Sequence, residues 1–436
     1  MSDINKRILN IALPAIISNI TVPLLGLVDV SIVGHLGDTA YIGAIAVGGM
    51  IFNVIYWLFG FLRMGTSGMT SQALGRRDLT ETLRLLLRSL GVAMAVAAVL
   101  ICMQQPIRQA AIAVMQPSAQ VEKFAGTYFS ILIWGAPAML GLYSMTGWFI
   151  GMQNSRLPMA IAITQNVVNI AASMFFVFTR GMKVEGVALG TLVAQYAGLL
   201  MAAAMWVAVY RRLWRHLNCQ RLFGWKEIKG FLAVNRDIFL RTLCLICVML
   251  FFTSAGSWQG ETILAINTLL MQFYMLFSYV MDGFAYAGEA LSGRMYGAGN
   301  RSGLASVIKN LFRWGAAMTV AFTMVYSLGG NAFLSLLTDE RDVVNAAGDY
   351  YWWAVLLPAA GVAAFIWDGV FIGCTKTRGM LMSMAAAAMT FFLLFVFLRP
   401  IIANHGLWMS FLAYMAVRGM VQTWLWRKYD NSSLRQ

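Results

Sequence analysis

Charge is what this chain of 436 residues has least of: Asp, Glu, Lys and Arg make up 11% of it, against a hydrophobic share of 60%. A water-soluble domain carries about a quarter charged residues, so a soluble enzyme or binding module is excluded. Histidine is scarce too, three in all, and neither H-E-x-x-H nor G-x-S-x-G occurs. That removes the usual zinc-protease and serine-hydrolase chemistries and leaves little room for a membrane-embedded enzyme. The five cysteines (Cys102, Cys219, Cys244, Cys247, Cys374) give no disulfide framework. Cys244 and Cys247 form a C-x-x-C inside an apolar helix without histidine or carboxylate neighbours, which fits helix packing better than metal or redox use.

What is abundant is apolar sequence. Mean hydropathy is +0.70, and hydrophobic stretches of about 20 residues recur from end to end, so the expected fold class is an all-α polytopic membrane protein. Twelve such segments run near 8–34, 43–74, 85–105, 124–150, 158–178, 187–210, 234–256, 263–296, 306–328, 346–372, 379–399 and 405–426. The first begins after seven residues and is too long for a signal-peptide core, so no cleaved leader is expected.

A net charge of +14 would suggest nucleic acid in a soluble protein. Here no nucleic-acid partner is expected, because basic residues gather in the cytoplasmic loops of membrane proteins. With the N-terminus inside, the inner side collects Lys6, Arg7, Arg76, Arg77, Arg84, Arg88, Arg156, the midpoint connection, Arg294, Arg301, Lys309, Arg313, Lys376, Arg378 and the basic C-terminus. The outer side keeps Arg108, Lys123, Arg180, Lys183, Arg341 and Arg399. The bias is about fourfold and predicts that both termini are cytoplasmic.

The longest polar connection, RRLWRHLNCQRLFGWKEIKG (211–230), falls at the midpoint. It predicts an N-lobe over 1–210, a cytoplasmic linker over 211–233 and a C-lobe over 234–436. The halves repeat. GWFIG at 147–151 matches GVFIG at 369–373, an offset of 222 that also aligns Ala125, Gly126 and Tyr128 with Ala347, Gly348 and Tyr350, Arg156 with Arg378, and Gly75 with Gly297. Six helices per half give both copies one orientation, and parallel repeats of this kind mark transporters, with the substrate site between the halves.

Asp29 raises the sharpest question, since a carboxylate near the end of an apolar run costs roughly 2.5–3.5 kcal/mol on insertion scales. Asp282, Glu289 and Asp368 are the other carboxylates read inside helices, and Arg63 and Arg241 the arginines. For Arg63, Asp282 and Glu289, and for Arg241 with Asp237 four residues earlier, structural ion pairing is the expectation. Asp29 has no basic partner in its own helix, and its repeat counterpart is Phe251. Asn166, Asn169, Ser173 and Thr191 could surround it, Asn169 and Ser173 sharing one helical face toward the carboxylate. Each alone reads as an ordinary interhelical hydrogen bond; with an intramembrane Asp they suggest a proton site. Pro14, fifteen residues before Asp29, removes a backbone donor and can kink or hinge the first helix, with Pro23 and Gly26 loosening it further. Met and Phe, 29 and 27 in number, supply side chains that can re-pack around apolar or aromatic cations.

Pro14 and Asp29 followed by VGHLG resemble the first-helix motif of the MATE family (multidrug and toxic compound extrusion). NRDIFLRTL (235–243), DGFAYAGEALSGRMYGA (282–298) and WDGVFIG (367–373) are most similar to its DinF branch. The resemblance spans essentially the whole chain. It implies two six-helix lobes around a central cavity, in a bacterial inner (plasma) membrane, and cation-driven export of organic cations or amphipathic drugs by a monomer. Its first-helix acid carries over onto Asp29, its fifth-helix Asn onto Asn169 and its sixth-helix Thr onto Thr191; with Ser173 these are the expected proton-coupling residues, Pro14 is the expected hinge, and Asp368, Asn166 and Tyr143 are the expected substrate or cation cavity. Relatives often place a second Asp where this chain has Ser173, so the proton network would rest on one carboxylate. Asp368 matches the acid of sodium-coupled relatives, but no carboxylate stands between Ile238 and Gly260 to complete their site. The expected coupling ion is therefore H+ rather than Na+, with no cofactor and no metal. A flippase of lipid-linked or other amphipathic metabolites shares the architecture; its cavity would be strongly cationic, whereas acids outnumber arginines here.

Overall fold

The structure, a computed structural model, describes residues 3–34, 38–216, 222, 224–337 and 341–433. His35, Leu36 and Gly37 of the VGHLG motif, Cys219 and part of the midpoint tract lie outside the described residues. Among the described residues there is no strand. A lipid core offers no partner for a free N–H or C=O, and an apolar segment satisfies both internally as a helix.

The helices are α1 (Asp3–Gly34), α2 (Thr39–Phe59), α3 (Phe61–Gly75), α4 (Leu79–Cys102), α5 (Gln104–Met115), α6 (Ala119–Leu132), α7 (Ala136–Gly151), α8 (Arg156–Met174), α9 (Val184–Tyr210), α10 (Trp225–Ser257), α11 (Glu261–Gly297), α12 (Arg301–Leu337), α13 (Arg341–Ala347), α14 (Tyr351–Gly373) and α15 (Thr377–Ser433). Among the described residues, nine helical stretches are long and apolar enough to cross a membrane. One of them holds two of the expected segments. Two residues past Pro400, Ile402 (φ −130°) and Ala403 (φ +45°) leave helical geometry and break α15. Two expected segments are each split: α2 and α3 divide at Gly60, and a 3₁₀ turn (Ile133–Gly135) joins α6 to α7. The α7 start accommodates Pro137, which needs no backbone donor in a first turn. Two short helices, α5 and α13, were not among the expected segments.

Backbone proximity divides the chain into two units, Leu13–Asn235, and Met1–Ala12 with Arg236–Gln436. The divisions fall within α1, beside Pro14, and within α10. In the tract expected to be a linker, Arg211–His216 is a 3₁₀ turn and α10 already begins at Trp225. Phe231 packs with Ala73 and Leu85, so this part of α10 contributes to the first unit's core.

The repeat is visible atom by atom inside each unit. A Cβ on Gly147 would lie 2.3 Å from the Arg63 carbonyl oxygen, and one on Gly369 2.3 Å from that of Ala285. Arg63 and Ala285 are themselves 222 apart. In both halves only glycine lets α7 on α3, or α14 on α11, approach this closely. Asp78 caps α4 by accepting from the Glu81 N–H at 2.9 Å, and Asn300 caps α12 from the Gly303 N–H at 2.8 Å, again one offset apart.

The first unit's core centres on Trp148, whose indole N–H donates to the Thr82 carbonyl at 2.8 Å, with Phe149, Leu86, Ile161 and Trp206 around it. In the second unit Phe252, Trp408 and Phe411 form a comparable aromatic nucleus.

Candidate functional site: a buried carboxylate in the first unit and a buried ion cluster in the second

Asp29 is 7% exposed, on the Pro14-bearing helix α1. Its Oδ1 is buried and accepts no hydrogen bond among the described residues. The helix is tied to α8 by Asn166, whose amide donates to the Thr21 carbonyl at 3.1 Å. One turn further along α8, the Asn169 amide donates to the Thr191 hydroxyl at 2.9 Å, and that hydroxyl donates to the Val187 carbonyl at 3.0 Å. Tyr128 of α6 stands close to both Asp29 and Thr191. Tyr56 lies near Tyr128 and also near Tyr143, so the last candidate of the first unit is at the edge of the same group of hydroxyls.

Sequence reasoning aimed Asn169 and Ser173 at the Asp29 carboxylate. The structure corrects that pairing. Asn169 spends its amide on Thr191, and the Ser173 hydroxyl, fully buried under Gly190, has no partner among the described residues. A Cβ on Gly190 would sit 2.2 Å from the Ser173 Oγ, which fixes how tightly α8 and α9 approach. Asp29 Oδ1, Asn169 Oδ1 and Ser173 Oγ are each buried and without a hydrogen-bond partner among the described residues. Most buried polar atoms in folded proteins have a partner, so each of these calls for an explanation such as a bound water, an ion, strain or a functional role. Tyr128 was missed by sequence reasoning; its only signal was its place in the repeat alignment with Tyr350.

Asp368 of α14 is also buried, but its surroundings are the opposite. One carboxylate oxygen accepts from both Arg241 of α10 and Arg418 of α15, and the other accepts from the Gln422 amide at 2.7 Å. This corrects two expectations. Arg241 pairs with Asp368 rather than Asp237, which instead takes Arg236 at 3.0 Å and the Thr377 hydroxyl at 3.2 Å. Asp368 does not stand as a free cavity group, since two guanidiniums and an amide occupy its lone pairs. Arg418 was passed over because it lies near the end of the last apolar run, close to the basic C-terminus. It is 1% exposed, and it narrows the excess of embedded acids over arginines. The Arg63, Asp282 and Glu289 grouping divides between the units, Arg63 in the first and the two acids in the second.

Near the α15 break, Asn267 and Asn404 exchange reciprocal amide bonds of 2.9 Å, and Trp408 donates to Asn267 at 2.8 Å. This network is closed and holds the irregular backbone in place.

A helical membrane fold of two repeated halves, each with ionisable side chains buried inside it, is that of a membrane transporter. The MatE family model matches residues 14–175 and 238–401. The DNA damage-inducible protein F of Escherichia coli K12 is 36% identical over 427 residues, covering 98% of this chain and 92% of that protein. A probable multidrug resistance protein NorM of Thermotoga maritima is 22% identical over 355 residues, covering 79% of this chain and 74% of the relative. Among solved structures, a MATE protein in a bent conformation superposes with a TM-score of 0.88 at 22% identity, covering 100% of this chain and 97% of that one. A MOP-superfamily transporter from Pyrococcus furiosus gives a TM-score of 0.87 at 21% identity, with coverage of 100% and 97%. The chain belongs to the MATE family, in its DinF-like branch, a family of membrane transporters and not of enzymes.

Proposed function

We propose that this protein is a proton-coupled efflux antiporter that exports cationic or amphipathic organic compounds from the bacterial cytoplasm by alternating access. In this reading it works as a monomer in the inner membrane with both termini inside, as the charge bias of the loops favours. The observation that carries the reading is Asp29: a buried carboxylate with an unpartnered oxygen, on a proline-bearing helix, in one repeat only.

A carboxylate without a fixed cation is free to exchange its charge for a proton, and the two forms favour different surroundings. Protonated, Asp29 can donate to a neighbouring hydroxyl or carbonyl and lets α1 pack against its neighbours without a buried charge. Deprotonated, it attracts a cationic substrate or water. Pro14 leaves one turn of α1 without a backbone bond, so the helix can follow the change by bending. Tyr128, which stands close to Asp29 and Thr191, is the hydroxyl best placed to hold either form, with the Asn169 amide fixing Thr191 behind it. Ser173 offers one more hydroxyl beside them.

Asp368 supports protons over sodium. Its charge is matched by Arg241 and Arg418, which leaves it poorly suited as a ligand to a further cation. A lipid-linked cargo remains the second reading of the fold, and transport assays distinguish it.

The test uses the full-length protein reconstituted in vesicles with a fluorescent organic cation and an imposed pH gradient. Wild type should move the dye against the proton gradient with or without sodium. Asp29→Asn, nearly isosteric and unable to titrate, should fold and insert normally yet lose proton-driven export. Wild-type export by that variant would sink the coupling role; export that requires sodium would favour the sodium-driven reading.

A further inference from the structure

At the end of α9 the chain leaves the membrane-spanning stretch through the 3₁₀ turn Arg211–His216. A surface cavity of about 680 Å³ opens there, lined by Trp206, Val207, Arg211, Arg212, Trp214 and Arg215. Every polar side chain on its wall is a donor: three guanidiniums and two indole N–H groups. None of the three arginines forms an ion pair or hydrogen bond among the described residues. Trp206 adds an independent sign. Its indole nitrogen is buried and has no acceptor, although a buried indole N–H usually finds one.

The aromatic side of the cavity is built on the core. Trp206 packs on Trp148 at 6.3 Å between ring centroids, and Trp214 meets Trp206 edge-on at 5.9 Å. The 3₁₀ turn is therefore anchored, and the arginines are carried by fixed backbone. Val207 on α9 and Trp214 on the turn are each more than half exposed, at the end of a stretch long and apolar enough to cross a membrane. A ligand for this place needs an anionic, acceptor-rich group for the arginines and an apolar body to run down α9.

We propose that this cavity is a binding site for the phosphodiester headgroup of an anionic phospholipid, with its acyl chains lying along α9. Guanidinium forks match phosphate oxygens in geometry as well as charge. Tryptophan at the bilayer surface supplies the amphipathic contact that a free anion would not use. The bias of arginines toward one side of a membrane protein explains their presence, but not their convergence on one cavity with an unsatisfied indole donor. The site is separate from the Asp29 cluster and independent of the coupling ion.

The test uses the full-length protein, delipidated in a neutral detergent. Dioleoylphosphatidylglycerol should be retained in native mass spectra and raise the thermal unfolding midpoint, while dioleoylphosphatidylcholine and millimolar inorganic phosphate should do neither. Arg211→Gln/Arg212→Gln/Arg215→Gln should weaken phosphatidylglycerol binding by at least about tenfold, as removal of three cations from an anionic surface requires. Arg76→Gln/Arg77→Gln, which removes two exposed arginines elsewhere, should bind as wild type. Should the triple variant fail to fold, brominated lipids decide the matter. Brominated phosphatidylglycerol should quench wild-type tryptophan fluorescence more than the brominated choline lipid, and Trp214→Phe should remove most of that difference. The proposal is overturned by equal binding of the choline lipid, by phosphate alone matching the lipid, by wild-type binding in the triple variant, by loss of binding in the Arg76/Arg77 variant, or by equal quenching from both brominated lipids.

Discussion

In the first half of the molecule Asp29, Asn169 and Ser173 occupy positions that the repeat offset of 222 maps onto Phe251, Phe391 and Phe395 in the second. There the three phenylalanines touch: Phe251 meets Phe391 at 5.9 Å and Phe395 at 5.0 Å between ring centroids, both edge-on. The positions that hold an aromatic cluster in one copy thus hold three polar residues in the other, each with a buried oxygen that has no partner among the described residues. The second half keeps its own buried charge elsewhere, at Asp368, and neutralises it with Arg241 and Arg418. Around Asp368 both carboxylate oxygens are taken, although Arg241 Nε, Arg418 Nε and Gln422 Oε1 keep no partner among the described residues. Among the described residues, the one buried carboxylate oxygen without a partner is Asp29 Oδ1, in the first half, and scaffolding gives no reason for it.

The largest test of the contrast is to neutralise each acid in turn. Asp368→Asn leaves two buried guanidiniums around a neutral amide and should cost about 3–5 kcal/mol of stability. Asp29→Asn removes no ion pair among the described residues and should change stability by less than about 1 kcal/mol. Chemical unfolding in detergent measures both, and equal losses would erase the distinction between the halves.

Next comes the aromatic corner. Phe391 is fully buried, so Phe391→Ala should cost about 3–5 kcal/mol through the cavity it leaves. Its counterpart Asn169→Ala should cost about 1 kcal/mol, the worth of one interhelical hydrogen bond, while impairing export. If the asparagine proved as costly as the phenylalanine, Asn169 would be a packing residue first.

A third experiment uses what the halves share. Gly147→Ala and Gly369→Ala each force a Cβ to within 2.3 Å of a facing carbonyl oxygen. Both should lose about 1–3 kcal/mol by pushing α3 from α7 or α11 from α14. A large difference between the two would mean that one interface relaxes where the other does not. The smallest effect belongs to Thr191→Val, which removes the acceptor of the Asn169 amide. It should cost about 0.6 kcal/mol, the mean for such bonds in membranes, and shift the pH dependence of export more than its maximal rate. An unchanged pH profile would remove Thr191 from the coupling group.

Much of this was legible in the residues. The last two apolar segments, 379–399 and 405–426, were read apart, and the structure breaks α15 between them at Ile402 and Ala403. GWFIG and GVFIG marked the repeat because their glycines sit where one helix backbone meets another, a contact that tolerates no Cβ. Asp29 stood out because an ionisable group in lipid is costly whatever surrounds it. The partners were not legible in the same way. Arg241 lies four residues from Asp237, the spacing of a helical ion pair, yet it bonds Asp368, which is 127 residues away. Arg418 looked like part of the basic tail and is one of the most buried charges in the protein.

The sequence alone determined the solvent, the helices and the existence of two copies, because hydropathy, segment length and repeat offset are properties of the chain read in order. Tertiary structure decided which polar groups are satisfied. A hydrogen bond or ion pair depends on where distant helices place their side chains, to within a fraction of an ångström. That packing gives Asp368 two cations and leaves the Asp29 Oδ1 without a donor.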